Sequence, residues 1–176
     1  MIYVDLSCTT NMYNNLLQYI FSCCNYVSFH MPNFNQSNTD SSYIMLNNNG
    51  EINVEYNEYV SRNDKLLKLC EKNGAIKYIS KSYMGMRFGY VTQIYYVKIF
   101  NELKEYIYAK HLFDWNFEDL PEDLCFFSNE LCRFASVSHE SQFVIYNEVP
   151  ADKDFLIKNK FSYFIKKDKF APKLNI

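Results

Sequence analysis

Glycine, proline and tryptophan are scarce in this 176-residue chain, and their scarcity excludes several classes of protein. The chain has 4 Gly, 4 Pro and 1 Trp. Four dispersed glycines cannot form a GxGxxG or Walker A loop, so neither phosphate-binding fingerprint is present. The same shortage excludes collagen-like and linker compositions. With 48% hydrophobic and 22% charged residues, the composition is that of a folded domain and not of a disordered chain.

Basic residues are missing from the first 60 positions, and the first of them is Arg62. Because a secretory signal starts with a positively charged region, we expect the protein to have no such signal. It also contains no run of 18 apolar residues, which is the minimum expected of a transmembrane helix. We expect a cytoplasmic protein that does not contact a membrane and whose six cysteines are reduced thiols. The length predicts one globular domain over 1–176, with a basic C-terminal tail from about 166.

The spacing of cysteine and histidine gives little support for a metal site. The chain has no CxxC, HxH or HExxH motif, and His30, His111 and His139 lie far from any pair of cysteines. Structural zinc sites require four such ligands at close spacing. We therefore predict neither a metal nor another cofactor. His30 falls on the polar side of an alternating segment, so we place it on the protein surface.

Periodicity divides the chain into helices and strands. In the first half of the chain, the predicted elements are a strand over 2–8, a helix over 11–24 capped by Thr9 or Thr10, a strand over 26–31, a hairpin over 43–56 turning at Asn49-Gly50, a helix over 62–72 and a strand over 75–83. In the second half, they are a hairpin turning at 128–130, a strand over 143–146, a helix over 153–159 capped by Asp152 or Asp154, and a strand over 161–165.

The segment 90–112 fits two descriptions. Its β-branched residues favour a strand, whereas its length without a turn signal favours a helix, and we predict a helix from about 91 to 111. Strands arranged in hairpins and mixed with helices indicate the α+β class. We expect a mainly antiparallel sheet with three or four helices packed on one face. The other face is expected to stay partly open, which suits the 16 Tyr residues.

The densest polar feature is an acidic segment at 114–123. It combines five carboxylates with the single Trp and a Phe, within a block (101–150) that has ten acidic and three basic residues and a net charge of −7. Carboxylates steer a basic partner, and aromatic residues anchor interfaces. We therefore predict a partner-binding site; burial of Trp115 and Phe117 in the core is the alternative, and the sequence favours neither interpretation over the other. The predicted site consists of Asp114, Trp115, Phe117, Glu118, Asp119, Glu122 and Asp123.

The most enzyme-like string is Ser138-His139-Glu140, whose residue types are those of a nucleophile, a base and an orienting acid. Neighbouring residues on a strand point to opposite faces, however, and the chain has no GxSxG elbow. A structural role, in which Ser138 caps a turn, is therefore favoured over catalysis. The overall net charge of −2 and the pI near 5.9 indicate no nucleic-acid partner.

The segment from Leu124-Cys125-Phe126-Phe127 through Phe134 to Ser138-His139-Glu140 resembles the late hairpin of small bacterial immunity proteins of contact-dependent and other polymorphic-toxin systems. The composition, rich in Asn, Tyr, Ile and Lys, is similar to that of proteins from low-GC bacteria. The resemblance spans about 20 residues and carries no chemical motif. It implies a cytoplasmic, non-enzymatic protein that binds and blocks a cognate toxin, and it assigns no site residue.

The leading hypothesis is therefore an immunity or antitoxin-like inhibitor that binds a toxin, such as a nuclease, through an acidic surface bearing aromatic residues. Two alternatives stay open. One is a small hydrolase or transferase that uses Ser138, His139 or Glu140. The other is a phage-encoded inhibitor of a host enzyme, which would use the same kind of surface.

Overall fold

The computed structural model describes residues 1–7, 9–32, 54–83, 86–115 and 120–167. Within them lie four helices and eight strands. In chain order these are β1 (Ile2–Val4), α1 (Thr10–Cys23), β2 (Tyr26–Pro32), α2 (Val54–Lys72), β3 (Ile76–Tyr83), β4 (Met86–Lys98), α3 (Asn101–Tyr108), β5 (Glu122–Ser128), β6 (Leu131–Val137), β7 (Gln142–Ile145), α4 (Pro150–Lys158) and β8 (Tyr163–Ile165). The α+β class predicted from the sequence is confirmed. No helix in these ranges is both long and apolar enough to cross a bilayer.

The eight strands form one antiparallel sheet in the order β3-β4-β2-β5-β6-β7-β1-β8. Its register aligns apolar residues across seven strands on the face that packs against the helices. That row consists of the buried residues Val97, Val27, Phe126, Phe134, Ile145 and Ile2, and it ends at Ile165, which is half exposed. Because side chains alternate between the two faces of a strand, a one-residue slip would turn the row away from the core. The buried apolar residues on this face therefore determine the register of the sheet and also stabilise the fold.

Helix α1 forms as the sequence predicts. The Thr9 side chain accepts a hydrogen bond from the Met12 amide, which is the N-cap arrangement. A stripe at helical spacing is then buried against the sheet, namely Tyr13, Leu16, Leu17 and Ile20. Helices α2, α3 and α4 add residues such as Leu66, Leu103 and Leu156 to the same cluster. Burial of this shared core, more than intrinsic propensity, stabilises the short helices.

Asp152 joins three elements through one fully buried carboxylate. It accepts hydrogen bonds from the Tyr19 hydroxyl on α1 at 2.8 Å, from Arg133 Nη2 on β6 at 2.8 and 2.9 Å, and from the Val149 amide at 2.7 Å. The last contact caps α4, which begins with Pro150, three residues before the predicted start. Asp152 therefore acts from inside the first turn of α4 and is not its N-cap residue.

The predicted strand over 52–56 is wrong at its end, because α2 begins at Val54. The remainder of the predicted 43–56 hairpin, including Asn49-Gly50, lies outside the described residues. The helix predicted over 62–72 begins eight residues earlier than expected, and Ser61 is an exposed residue in its interior. Helix α2 extends further toward the N-terminus than predicted because Tyr59 continues its buried stripe and donates its hydroxyl hydrogen to the Leu120 carbonyl at 3.0 Å. That partner is 61 residues away and gives no local sequence signal.

The predicted helix over 91–111 is half wrong. Residues up to Lys98 belong to the strand β4, and only Asn101–Tyr108 form a helix. Strand β4 pairs with both β2 and β3, and each of its faces packs into a different apolar cluster, Tyr95 and Val97 on one face and Ile94 and Tyr96 on the other. Ile94, Tyr95, Tyr96 and Val97 are all buried as a result. A strand buried on both faces loses the alternation by which a strand is recognised.

The second face of the sheet carries its own apolar cluster. Its described members lie on strands β2 to β6, apart from Tyr146, which directly follows β7. They include Ile94, Tyr96, Cys125, Phe127 and Cys132. These residues are buried, so the expectation of a partly open face is wrong over this part of the sheet. Five cysteines are described, and all are free thiols, in agreement with the prediction of reduced cysteines.

Leu17→Ala tests the α1 packing. The side chain of Leu17 is completely buried, so its truncation should lower the free energy of unfolding by about 2–5 kcal/mol. Gln18→Ala, at an exposed position of the same helix, is the matched control and should change stability by less than about 0.5 kcal/mol. Urea unfolding of both variants measures the difference. Equal effects would contradict the packing described for α1.

Candidate functional site

The acidic segment begins with a capped turn in which Asp114 has a structural role. A short 3-10 helix covers Leu112–Asp114. The His111 amide donates to the Asp114 carboxylate at 2.8 Å, and His111 Nδ1 accepts from the Phe113 amide at 3.3 Å. This reciprocal arrangement is a capping box. Asp114 remains exposed, so its carboxylate faces solvent while it holds the turn.

Trp115 is a core residue. Its side chain has no exposed surface, and its ring lies 5.7 Å from the ring of Phe29 and 6.1 Å from that of Tyr106. Of the two roles left open by the sequence, an accessible anchor and a core residue, the structure places Trp115 in the second. A buried indole of this size contributes to the fold and presents no surface to a partner.

The far end of the acidic segment is also held by structural contacts. Asp123 is 1% exposed and its carboxylate accepts a hydrogen bond from the Ser138 amide at 2.7 Å. Its own amide donates to the Trp115 carbonyl at 3.1 Å. The neighbouring Glu122 places its carboxylate 3.7 Å from Nε2 of His30. Neither carboxylate is therefore available as an open surface charge.

The predicted partner-binding residues thus divide into two groups. Asp114, Trp115, Glu122 and Asp123 lie at the ends of the segment, and three of these four contribute mainly to the interior. Phe117, Glu118 and Asp119 lie outside the described residues, so their predicted role stays a prediction. The bond between Asp123 and Trp115 brings the two ends of the segment together at its base.

Ser138 lies in a short 3-10 turn, Ser138–Glu140, and its polar groups are engaged in structural bonds. The hydroxyl donates to the Leu112 carbonyl at 3.2 Å, and the amide donates to Asp123. A nucleophilic serine instead needs its hydroxyl hydrogen directed at a base. This geometry agrees with the structural role predicted for Ser138. Glu140 is exposed, and the side chain of His139 is outside the description.

A buried polar cluster on the second face of the sheet was not predicted. Its residues are Ser28, His30, Tyr83 and Thr92, together with the partly buried Glu122. His30 has no exposed surface, so its predicted surface position is wrong. The alternation of Tyr26, Ser28 and His30 with apolar residues indicated a solvent-facing side. That interpretation fails because this side of β2 is also covered.

Hydrogen bonding within this cluster determines which partner each ring nitrogen of His30 faces. The single hydroxyl hydrogen of Thr92 is donated to the Met31 carbonyl at 2.9 Å. The Thr92 oxygen therefore accepts from His30 Nδ1, which lies 3.1 Å away and must carry a hydrogen. His30 Nε2 is then the nitrogen that faces Glu122. The ring is oriented by two strands, β4 and β5, that pair with its own.

Tyr83 closes the cluster from the end of β3. The register of β3 and β4 shifts between Ser80 and Ser82, and such a bulge bends a strand pair. The Tyr83 hydroxyl lies 2.6 Å from Ser28 Oγ and 3.2 Å from the Asp123 carbonyl, and its ring lies 4.8 Å from that of His30. Burial raises the pKa of the Tyr83 hydroxyl, which therefore stays protonated. These contacts join β2, β3 and β5.

His111 should make the stability of the protein depend on pH. Its ring stacks on Tyr13 at 4.7 Å, and burial lowers its pKa below the ordinary value of 6.5, against an opposing effect of Asp114. The unfolded chain therefore binds the proton more readily, and the free energy of unfolding should fall as the pH drops below 6.5. Urea unfolding at pH 7.5 and 5.5 measures this loss.

His111→Asn is the matched variant, because the Asn side-chain oxygen can accept the Phe113 amide as Nδ1 does but does not titrate. It should lose less stability than the wild type between the two pH values. The comparison isolates His111 because the other two histidines are present in both proteins. An identical loss in both would contradict the assignment.

Comparison with known proteins identifies no relative. No family model matches the chain, and neither a curated protein nor a solved structure does so.

Proposed function

We propose that the chain is a non-enzymatic binding protein, an immunity or antitoxin-like inhibitor that neutralises a cognate bacterial toxin. The proposed contact is the middle of the acidic segment, with Glu118 and Asp119 meeting basic groups of the toxin and Phe117 supplying apolar contact. A nuclease is the favoured kind of toxin, since its substrate-binding surface is basic.

The observation that carries this proposal is the closed base of the acidic segment. Trp115 and Leu120, the described residues on either side of 116–119, are both buried, and the Asp123 amide donates a hydrogen bond to the Trp115 carbonyl. Both ends are therefore anchored in the interior, and few residues are left between them. A segment held in this way loses less conformational freedom on binding than an unanchored one.

The surrounding charge supports the same proposal. Glu102 and Glu105 are exposed on α3, and Asp114 is exposed just before Trp115. They belong to the 101–150 block, whose net charge is −7. An acidic field of this kind accelerates encounter with a basic partner and makes the association rate depend on salt.

The alternative of a hydrolase that uses Ser138 draws no support from the geometry. Its hydroxyl donates to a backbone carbonyl, and the residue is 5% exposed. Activation would require that bond to break and the turn to open. Since the hydroxyl and the amide of Ser138 together hold Leu112 and Asp123, a structural role accounts for both contacts.

Charge reversal at Glu118 and Asp119 tests the proposed function. The double variant Glu118→Lys with Asp119→Lys should bind the toxin at least tenfold more slowly, should show a weaker salt dependence of the association rate, and should keep its stability. The test partner is the product of a neighbouring reading frame with a toxin-like C-terminal domain. Stopped-flow kinetics and rescue of growth in cells expressing that toxin are the measurements.

The matched control is Glu130→Lys with Asp154→Lys, because both residues are exposed and the change in net charge is the same. This control should bind at a rate close to that of the wild type. If both double variants slow association equally, only net charge matters and the acidic segment is not the contact. If the protein neither binds nor neutralises the neighbouring product, the proposed function is wrong.

A further inference from the structure

The edge strand β8 has one paired side and one side that no described strand covers. It lies at the end of the strand order, next to β1. The pairs Ile2 with Ile165, Tyr3 with Phe164 and Val4 with Tyr163 define its register. An edge strand presents a row of backbone donors and acceptors to which another chain can pair.

The register shows which backbone groups point outward. The Asp5 amide donates to the Ser162 carbonyl at 2.9 Å, and Met1 and Lys166 exchange two bonds of 3.1 Å. In antiparallel pairs such bonded residues alternate with non-bonded ones. Residues 162, 164 and 166 therefore face β1, whereas the N–H and C=O groups of Tyr163 and Ile165 face away from it. These four groups have the spacing that an added strand needs.

Apolar side chains flank this edge on both faces of the sheet. Phe164 is 56% exposed and Ile165 is 52% exposed, and they point to opposite faces. The Phe164 ring stacks on Tyr3 with a centroid separation of 5.1 Å. A depression of about 490 Å³ lies beside Phe164, with Val4, Phe143 and Ser162 in its lining. It has room for an apolar side chain from a strand laid beside β8.

The charge at this edge selects the kind of partner. Lys166 and Lys167 follow β8 directly and are exposed. The Lys166 ammonium lies 4.6 Å from the centroid of the Tyr3 ring. In the described part of the chain, neither lysine forms an ion pair with a carboxylate. Two described acids, Asp5 and Glu148, have other contacts, since Asp5 accepts from the Ser7 amide and Glu148 pairs with the N-terminal ammonium.

A second copy of the chain is a poor occupant of this edge, because its own residues 160–167 contain three lysines and no carboxylate that could pair with Lys166 and Lys167. Lysines beside a short edge strand are a common means of preventing self-association. An acidic strand meets no such repulsion. We infer that the open edge of β8 binds an extended segment of a partner protein in which acidic residues flank an apolar one. This surface is separate from the proposed toxin contact and does not depend on it.

The probe for this inference is a fluorescein-labelled decapeptide that alternates glutamate and valine around a central phenylalanine. The full chain should bind it in a fluorescence anisotropy titration at submillimolar concentration. A peptide with lysine in place of every glutamate should bind at least tenfold more weakly. Failure of the acidic peptide to bind at 1 mM, or equal binding of the two peptides, would overturn the inference.

Ile165→Pro tests the geometry of the added strand. The substitution removes the outward N–H of residue 165 and no backbone hydrogen bond to β1, and proline is tolerated at such positions of an edge strand. It should weaken binding of the acidic peptide at least tenfold. Ile165→Ala keeps the N–H, is the matched control and should weaken binding less. If the two variants bind equally well, the peptide does not pair with β8 and the inference fails.

Two further measurements test the charge and the occupant. Lys166→Glu with Lys167→Glu should weaken binding at least tenfold, whereas Lys65→Glu with Lys72→Glu, at exposed positions of α2, should leave it unchanged. Equal weakening by both pairs would overturn the role of the edge lysines. Sedimentation of the wild type should show a monomer. A dimer that Ile165→Pro dissociates would identify a second copy as the occupant and would overturn the acidic partner.

Discussion

The ion pair between Arg133 and Asp152 is the contact on which much of the architecture depends. The carboxylate is fully buried, and it connects β6, α1 and the first turn of α4. An unpaired charge at that position would be costly, so the carboxylate requires Arg133 and the Tyr19 hydroxyl at the same time. The ring of Phe155 on α4 stacks on Tyr19 at 4.2 Å and adds apolar contact beside the pair.

The position of α4 determines where the chain re-enters the sheet. The Phe161 amide donates to the Leu156 carbonyl, and the chain then reaches β8, which pairs with β1. The open edge of β8, which is proposed to bind an acidic strand of a partner protein, is thus positioned by a helix that a buried ion pair holds in place. The acidic segment has a similar foundation, because Asp123 accepts the Ser138 amide in the interior. In both places buried polar contacts support the surface that is proposed to bind a partner.

Features with a complete local signal were predicted from the sequence. Thr9 and the apolar stripe of α1 lie within one segment, and the turn between β5 and β6 contains Asn129, which adopts a positive φ of 55°. Features that depend on partners distant in the sequence were not predicted. Strand β4 has neighbours on both sides, and Tyr59 extends α2 through a bond to Leu120. No local pattern reports such contacts.

Prediction of the candidate site from the sequence was limited in the same way. The composition of 114–123 indicates charge and aromatic surface, but it cannot tell whether Trp115 points outward or packs on Phe29. Asp123 looks like an exposed acid until the Ser138 amide, 15 residues later, is placed beside it. The His30 cluster was missed because Thr92 and Tyr83 come from strands that are remote in sequence. Only the register of the sheet brings these residues together.

A double-mutant cycle at Arg133 and Asp152 tests most directly whether this pair is the contact on which the fold depends. Asp152→Asn and Arg133→Met should each lower the free energy of unfolding by about 3–5 kcal/mol, since each leaves a buried partner uncompensated. The double variant should lose about 1–3 kcal/mol less than the sum of the two. Effects that add within about 0.5 kcal/mol would show that the two side chains are not coupled and would contradict the account.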